Sequence, residues 1–309
     1  MITESKLKIY QERIIFNRKP ITAQLSITRK CNLKCSYCFH RNGIKDNDYM
    51  AYILFDLVLK RLIKLQVRGL VFSGQGEPGL NPDFYKIIGR LHNEKINYGI
   101  NSNLVKYIEP RGASWLKINI DSVDKKQYKT IKGADYFDKV VFNLKKLIKA
   151  NLKTKIVLQC LAQYPGMASE FYDYFKKYDI DCISIRPIDS VTNHYKKNEL
   201  QEIKKELKKL ADLEDRKLNV SFKWNYLFNK YEQCYANWTT IAIRHDGTVS
   251  YCCSMWEKVV GSIFDIDILN KKEKMDFNKI KKNCPSPCRL SGLNDYIKNY
   301  RIIDDAEFC

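Results

Sequence analysis

No stretch of this chain approaches the roughly 20 consecutive apolar residues a membrane-spanning helix needs. Residues 1–20 are polar and charged, without the apolar centre of a secretory signal. Both absences predict a cytoplasmic protein with no membrane partner. Histidine is scarce: His40, His92, His194 and His245 are the only four, and they do not cluster. Acidic residues are outnumbered, 35 Asp and Glu against 54 Lys and Arg, and the formal net charge of +19 favours anionic partners. Nucleic acid is not the expected one, because no glycine-rich basic tract or RNA-binding sheet motif accompanies the charge. Lysines on solvated helix faces account for it.

Cysteine, by contrast, is abundant, with eleven in 309 residues. In an intracellular chain this argues for metal or redox chemistry rather than a disulfide framework. Three of them, Cys31, Cys35 and Cys38, fall within eight residues, directly after the alternating run 21–28, which reads as a strand. A loop of this kind points three thiolates at one centre. A structural zinc or a closed iron–sulfur cluster takes four protein ligands, whereas a cube held by three keeps one iron open. The plain alternative is a zinc knuckle with a distant fourth ligand, or three unrelated buried cysteines.

Hydrophobic residues make up 45% of the chain and aromatics 12%, enough for a core and long enough for one α/β domain plus a smaller module. Apolar runs at 69–73, 98–101, 115–120, 155–160 and 182–186 read as buried strands. Helical patterns lie between most of them, at 51–65, 82–93, 137–150 and 168–177. With the strand before the cysteine loop these make six β/α units and parallel strands. Residues 199–215 carry apolar positions at helical spacing with charges between them, a helix expected to pack against the sheet.

The spacing Cys-x3-Cys-x2-Cys, with Tyr37 before the last cysteine, resembles the motif of the radical S-adenosylmethionine (SAM) superfamily. The resemblance implies a partial (β/α)6 TIM-like barrel and a [4Fe-4S] cluster on Cys31, Cys35 and Cys38, whose open iron SAM chelates. It also implies a flavodoxin- or ferredoxin-type electron donor. Tyr37 and Phe39 would flank the cofactor. Gln75-Gly76-Glu77-Pro78 is similar to the family's Gly-Gly-Glu-Pro loop that holds SAM's amino group, with Gln75 in the first glycine's place. Asn101 and Ser102 end the third strand, and Asn119 and Asp121 the fourth, where relatives meet the methionine carboxylate and ribose. Ordinary turn formation explains them equally well. Lys132, before Gly133, occupies the place of a carboxylate-binding arginine. Gln159 and Arg186 end strands five and six; Arg186 reads as a clamp for an anionic substrate group or as a surface ion pair. Cys160 reads as core packing and His40 as a loop residue or an adenine neighbour.

A second cysteine group follows. Asp246-Gly247 between two alternating runs signals a hairpin that returns Cys252 toward Cys234, and Cys284-Pro285-Ser286-Pro287-Cys288 closes the set. The count Cys-x12-Gly-x4-Cys resembles the opening of the SPASM or shorter twitch auxiliary domain. That resemblance implies one auxiliary [4Fe-4S] cluster on Cys234, Cys252, Cys284 and Cys288. Cys253 competes with Cys252, Cys309 is a terminus or a further ligand, and zinc on four thiolates is the alternative. The expected division is an N-terminal extension over 1–20, a barrel with closing helix over 21–216 and an auxiliary domain over 217–309.

The expected activity is reductive SAM cleavage, with hydrogen abstraction from a polar or anionic small molecule giving oxidation or epimerisation. About 20 residues precede the first strand, short for a leader-binding domain, so peptide modification is the runner-up. A zinc-bearing, basic nucleic-acid-binding protein is the alternative of another class.

Overall fold

The computed structural model describes residues 19–40, 47–94, 96–188, 197–213, 215–220 and 232–281, with 284, 288, 290, 293–295 and 297. Residues 1–18 of the expected extension, the segment 221–231 at the expected boundary, His194, Pro285, Ser286, Pro287 and Cys309 lie outside these. Strand β1 is Thr22–Leu25, β2 Gly69–Phe72, β3 Asn97–Ser102, β4 Trp115–Asn119, β5 Lys155–Ala162 and β6 Cys182–Pro187. All are parallel to their neighbours in chain order. A seventh strand, β7 (Leu218–Val220), extends the row beyond the six expected. The edges are not joined, so the sheet is an open partial barrel.

The helices follow from apolar spacing. Helix α1 (Tyr52–Lys64) buries Phe55, Val58, Leu59 and Leu62, the i, i+3, i+4, i+7 stripe that turns one face to the sheet. Helices α2 (Phe84–Asn93), α4 (Phe137–Lys149), α5 (Met167–Phe175) and α6 (Lys197–Ala211) lie where the periodicity places them. Helix α3 (Lys125–Lys132) is an addition to the sequence reading. Asp124 caps it by accepting a hydrogen bond from Gln127 N at 2.7 Å, and Gly133 ends it at φ +73°.

The auxiliary residues join the same sheet. Strands β8 (Thr240–Ile243) and β9 (Thr248–Ser250) form the expected hairpin, β10 (Val259–Ser262) continues it antiparallel, and β8 pairs in parallel with β1. Arg61 on α1 reinforces the join, donating to Ile263 O at 3.2 Å and Asp265 O at 3.0 Å. Two short helices follow, α7 (Ile268–Glu273) and α8 (Phe277–Ile280). Among the described residues no helix is long and apolar enough to cross a membrane.

Candidate active site

The cysteine loop leaves the C-terminal end of β1, the end at which barrels of this kind keep their sites. Its shape is set by a backstop, the last turn of α3. Lys34 N donates to Lys132 O at 3.0 Å and Ser36 N to Ile131 O at 2.8 Å, while buried Leu33 anchors the loop in the core. Burial, then the Glu77 carboxylate, pushes the Cys31 thiol up to about 12. Burial also raises Cys35, with Lys132 pulling it back and Asp121 pushing it further, and raises Cys38. Thiols held protonated by burial and by each other are those a cationic metal centre would deprotonate. Among the described residues no three His, Cys, Asp or Glu converge on a single ion. The three thiols are electrostatic neighbours on one loop.

Behind the loop lies a charged pair that the sequence left apart. Asp121, fully buried at φ +72°, accepts from Leu161 N at 2.9 Å, from the Tyr37 hydroxyl at 2.6 Å and from Lys132 Nζ at 2.5 Å. Lys132 also donates to Tyr37 Oη at 2.9 Å. Burial alone would lower the Lys132 pKa, but the Asp121 carboxylate overrides it and holds the ammonium above its ordinary value. Lys132, Asp121 and Tyr37 are hydrogen-bonded to one another, and Tyr37 also lines the cavity described below. Gln159 adds its backbone oxygen, which accepts from Ile120 N at 3.2 Å and Asp121 N at 3.3 Å.

The loop after β2 packs across the cysteine loop. Glu77 N donates to Lys30 O at 2.8 Å, and Pro78 opens a short 3-10 turn, Pro78–Leu80. Buried Glu77 accepts from Ser102 Oγ and from Asn103 N, both at 2.7 Å. Burial pushes its carboxyl up and these bonds pull it back. Ser102 is thus directed to Glu77, and Asn101 sits one residue before it in β3. Asn103 reaches the cysteine loop, donating to Asn32 Oδ1 at 2.7 Å. At Gly76 an added Cβ would lie 2.4 Å from Thr28 O and 2.6 Å from Lys30 O. Both are backbone atoms of the cysteine loop, so Gly76→Ala must part the two loops. We expect it to weaken SAM binding at least about tenfold, the equivalent of 1.4 kcal/mol and within the usual cost of overpacking. Equilibrium dialysis with SAM would measure this, and unchanged affinity would contradict the stacked arrangement.

Gln75 Oε1 and Asn119 Oδ1 are among six buried side-chain polar atoms without a hydrogen-bond partner among the described residues, the others belonging to Tyr128, Asn237, Arg244 and His245. Such groups are costly unless something fills them, and Gln75 and Asn119 belong to the positions expected to face SAM. Gln75 spends its other end on the auxiliary residues, with Nε2 donating to Glu257 Oε1 at 3.0 Å.

A cavity of about 180 Å³ opens beside this loop, lined among others by Tyr37, Cys38, Phe39, His40, Arg186 and Ile188. Trp256 and Cys253 also line it, and the sequence assigns neither to a pocket. Only the position of Trp256, four residues after the hairpin's Cys252, hinted at it. Cys160 is buried in the core, as expected.

The second cysteine group is brought together by the hairpin. Burial, then Cys288, raises Cys234 to about 12; burial and then Cys288 raise Cys284 to about 11; burial, Cys253 and Cys234 raise Cys252. Cys234 shares a cavity of about 200 Å³ with Asn237, Tyr251 and Lys272.

A sequence model of the radical SAM superfamily matches residues 25–178, and one of an iron–sulfur cluster-binding (SPASM) domain matches 234–290. A probable GTP 3',8-cyclase of Pyrococcus horikoshii is 28% identical over 148 residues, 46% of this chain and 47% of that protein. The GTP 3',8-cyclase of Clostridium perfringens is 27% identical over 223 residues, 65% of this chain and 67% of that one. The chain spans about half the length of the first curated relatives it matches. In fold it resembles Streptococcus suis SuiB bound to precursor peptide SuiA, at TM-score 0.68 and 16% identity, covering 90% of this chain and 71% of that one. It also resembles anSMEcpe with bound AdoMet, at TM-score 0.61 and 20% identity, covering 91% and 95%.

Proposed function

We propose that this chain, which belongs to the radical SAM superfamily and carries a C-terminal SPASM-type iron–sulfur domain, is an enzyme that activates a C–H bond of a polar, anionic small molecule. Cys31, Cys35 and Cys38 would hold the SAM-binding [4Fe-4S] cluster, and Cys234, Cys252, Cys284 and Cys288 an auxiliary one. Bound there, cluster and SAM would supply a 5'-deoxyadenosyl radical that takes a hydrogen atom from substrate, and the cofactor carries that chemistry itself. The chain's own residues bind, orient and exclude water. The buried Glu77 carboxylate suits an ammonium, and the unpartnered Asn119 Oδ1 suits a hydroxyl donor. Leu161, Ile188 and Trp256 give the cavity apolar walls.

The observation that carries the substrate class is the presence of Arg186 in the same cavity wall system as Cys38. Arg186, whose Nη1 also donates to Pro187 O at 3.4 Å, brings to that lining a side chain type that favours phosphates and carboxylates. The relatives named for action on GTP support an anionic small molecule. Likeness to a peptide-bound structure at 16% identity supports the fold alone. The test is 5'-deoxyadenosine release with reductant and SAM across phosphorylated and carboxylated small molecules and short peptides. We expect an anionic small molecule to stimulate release. We expect Arg186→Ala to raise its KM at least about tenfold, as loss of a charge-assisted pair of about 1.5–3 kcal/mol does. Stimulation by peptides only, or an Arg186→Ala enzyme with unchanged KM, would overturn the assignment.

A further inference from the structure

Of the lysines on α7, one faces water and one does not. Lys271 lies in exposed ion pairs with Asp265 at 2.9 Å and Asp267 at 3.3 Å. Lys272, the next residue, is 4% exposed and lines the cavity that also presents Cys234, Asn237 and Tyr251. Its Nζ donates to Thr240 O at 2.6 Å and to Asn237 O. Two of the three N–H donors of an ammonium are therefore fixed by backbone at the start of β8.

Among the described residues no carboxylate forms an ion pair with Lys272. Burial lowers the Lys272 pKa to about 8, and Cys252, Cys234 and Cys253 offset part of that by favouring its charged form; Glu232 and Glu273 line the same cavity. Lys272 in turn favours the thiolate of Cys234. A buried ammonium without a counter-charge is costly, and a four-thiolate iron–sulfur cluster is itself net negative. Each is the missing partner of the other.

We propose that Lys272 is the built-in counter-cation of the auxiliary cluster, compensating its negative charge and holding its reduction potential above that of the same cluster without it. The inference rests on the reading of Cys234, Cys252, Cys284 and Cys288 as ligands of a [4Fe-4S] cluster. Net charge and hydrogen bonding around the sulfurs are the protein's levers on such a potential. Here the lever is one side chain, clamped by two carbonyl oxygens so that its charge cannot swing to solvent. A compensated cluster takes up an electron more readily, which is what a site beside a substrate cavity needs if it is to receive one.

The test uses the full chain with Cys35→Ala, so that only the auxiliary site can hold iron. The midpoint potential is then read by EPR-monitored titration for three proteins: this parent, the parent with Lys272→Gln, and the parent with Lys272→Arg. The expected result is a shift to more negative potential for Lys272→Gln and a value close to the parent for Lys272→Arg. An unchanged potential for Lys272→Gln, or an equal shift for both variants, overturns the proposal. If Lys272→Gln fails to retain iron, retention by Lys272→Arg supports a charge-compensating role. Loss from both shows that only the packing of a lysine matters, and overturns it. A parent that holds no iron while its fold is intact by circular dichroism would instead remove the underlying cluster assignment.

Discussion

Replacing Cys35 by alanine should reduce 5'-deoxyadenosine release to the background of enzyme-free controls while leaving the fold intact. Ligand count sets this expectation. Three thiols crowd one loop, each raised by burial, and two cannot tether a cube that already lacks a fourth protein ligand. Iron in anoxically purified protein should fall from about eight per chain to about four, the content of one cube. The matched control is Cys160→Ala. Cys160 is fully buried, lies on β5 and has no part in the loop. That variant should lose a little stability, on the order of 1 kcal/mol for a small apolar truncation, and keep both iron and release. Full release from Cys35→Ala, or equal loss from both variants, would remove the three-cysteine site from the argument.

The contrast between those two cysteines shows what the sequence makes legible. Cys31, Cys35 and Cys38 declare themselves by spacing, and Cys160 declares itself by lying inside an apolar strand. Strands of a parallel sheet are covered on both faces, so they read as unbroken apolar runs, and the amphipathic helices between them keep a helical period. That combination exposed the six β/α units. Helix α3 escaped because Lys125–Lys132 is mostly polar and has few apolar positions to set a period, although Asp124, Gln127 and Gly133 are good cap residues in hindsight. Strand β7 is three residues long, too short for an alternating pattern. The parallel pairing of β8 with β1 joins Thr22 to Thr240, and no local rule reaches across that separation.

The same limit governed the site. Gln75 and Glu257 meet from loops 182 residues apart, and Trp256 enters the cavity wall only because the hairpin docks on β1. Lys272 is one of 54 basic residues, nearly all readable as solvated. Only burial against a second cysteine group distinguishes it. Residue type told us which chemistry was available, but tertiary contact decided which copies of each residue perform it.

Lys132 is where the two levels diverge most, and its substitution should have the largest effect on stability. Sequence position assigns it to a cofactor carboxylate, whereas the structure pairs it with Asp121 at 2.5 Å, both side chains at most 1% exposed. Lys132→Met would leave the Asp121 carboxylate buried with only Tyr37 and Leu161 N as donors. Breaking a buried pair from one side costs about 3–5 kcal/mol. Tyr37→Phe, which removes one hydroxyl from the same network, should cost about 1–3 kcal/mol. Denaturant midpoints at equal slope would rank them. Removing both charges, with Asp121→Asn added to Lys132→Met, should recover part of the loss, because no uncompensated ion remains.

The pH dependence of this pair has a definite sign. A lysine whose folded pKa is raised contributes stability that is fully present below its unfolded value of about 10.4. The contribution is lost as pH climbs through the higher folded value, so the network holds throughout the neutral range. If Lys132 instead served the cofactor directly, Lys132→Met would weaken SAM binding and leave the denaturant midpoint nearly unchanged. A midpoint within about 0.5 kcal/mol of the parent, the range of an ordinary surface substitution, would therefore reject the structural role argued here.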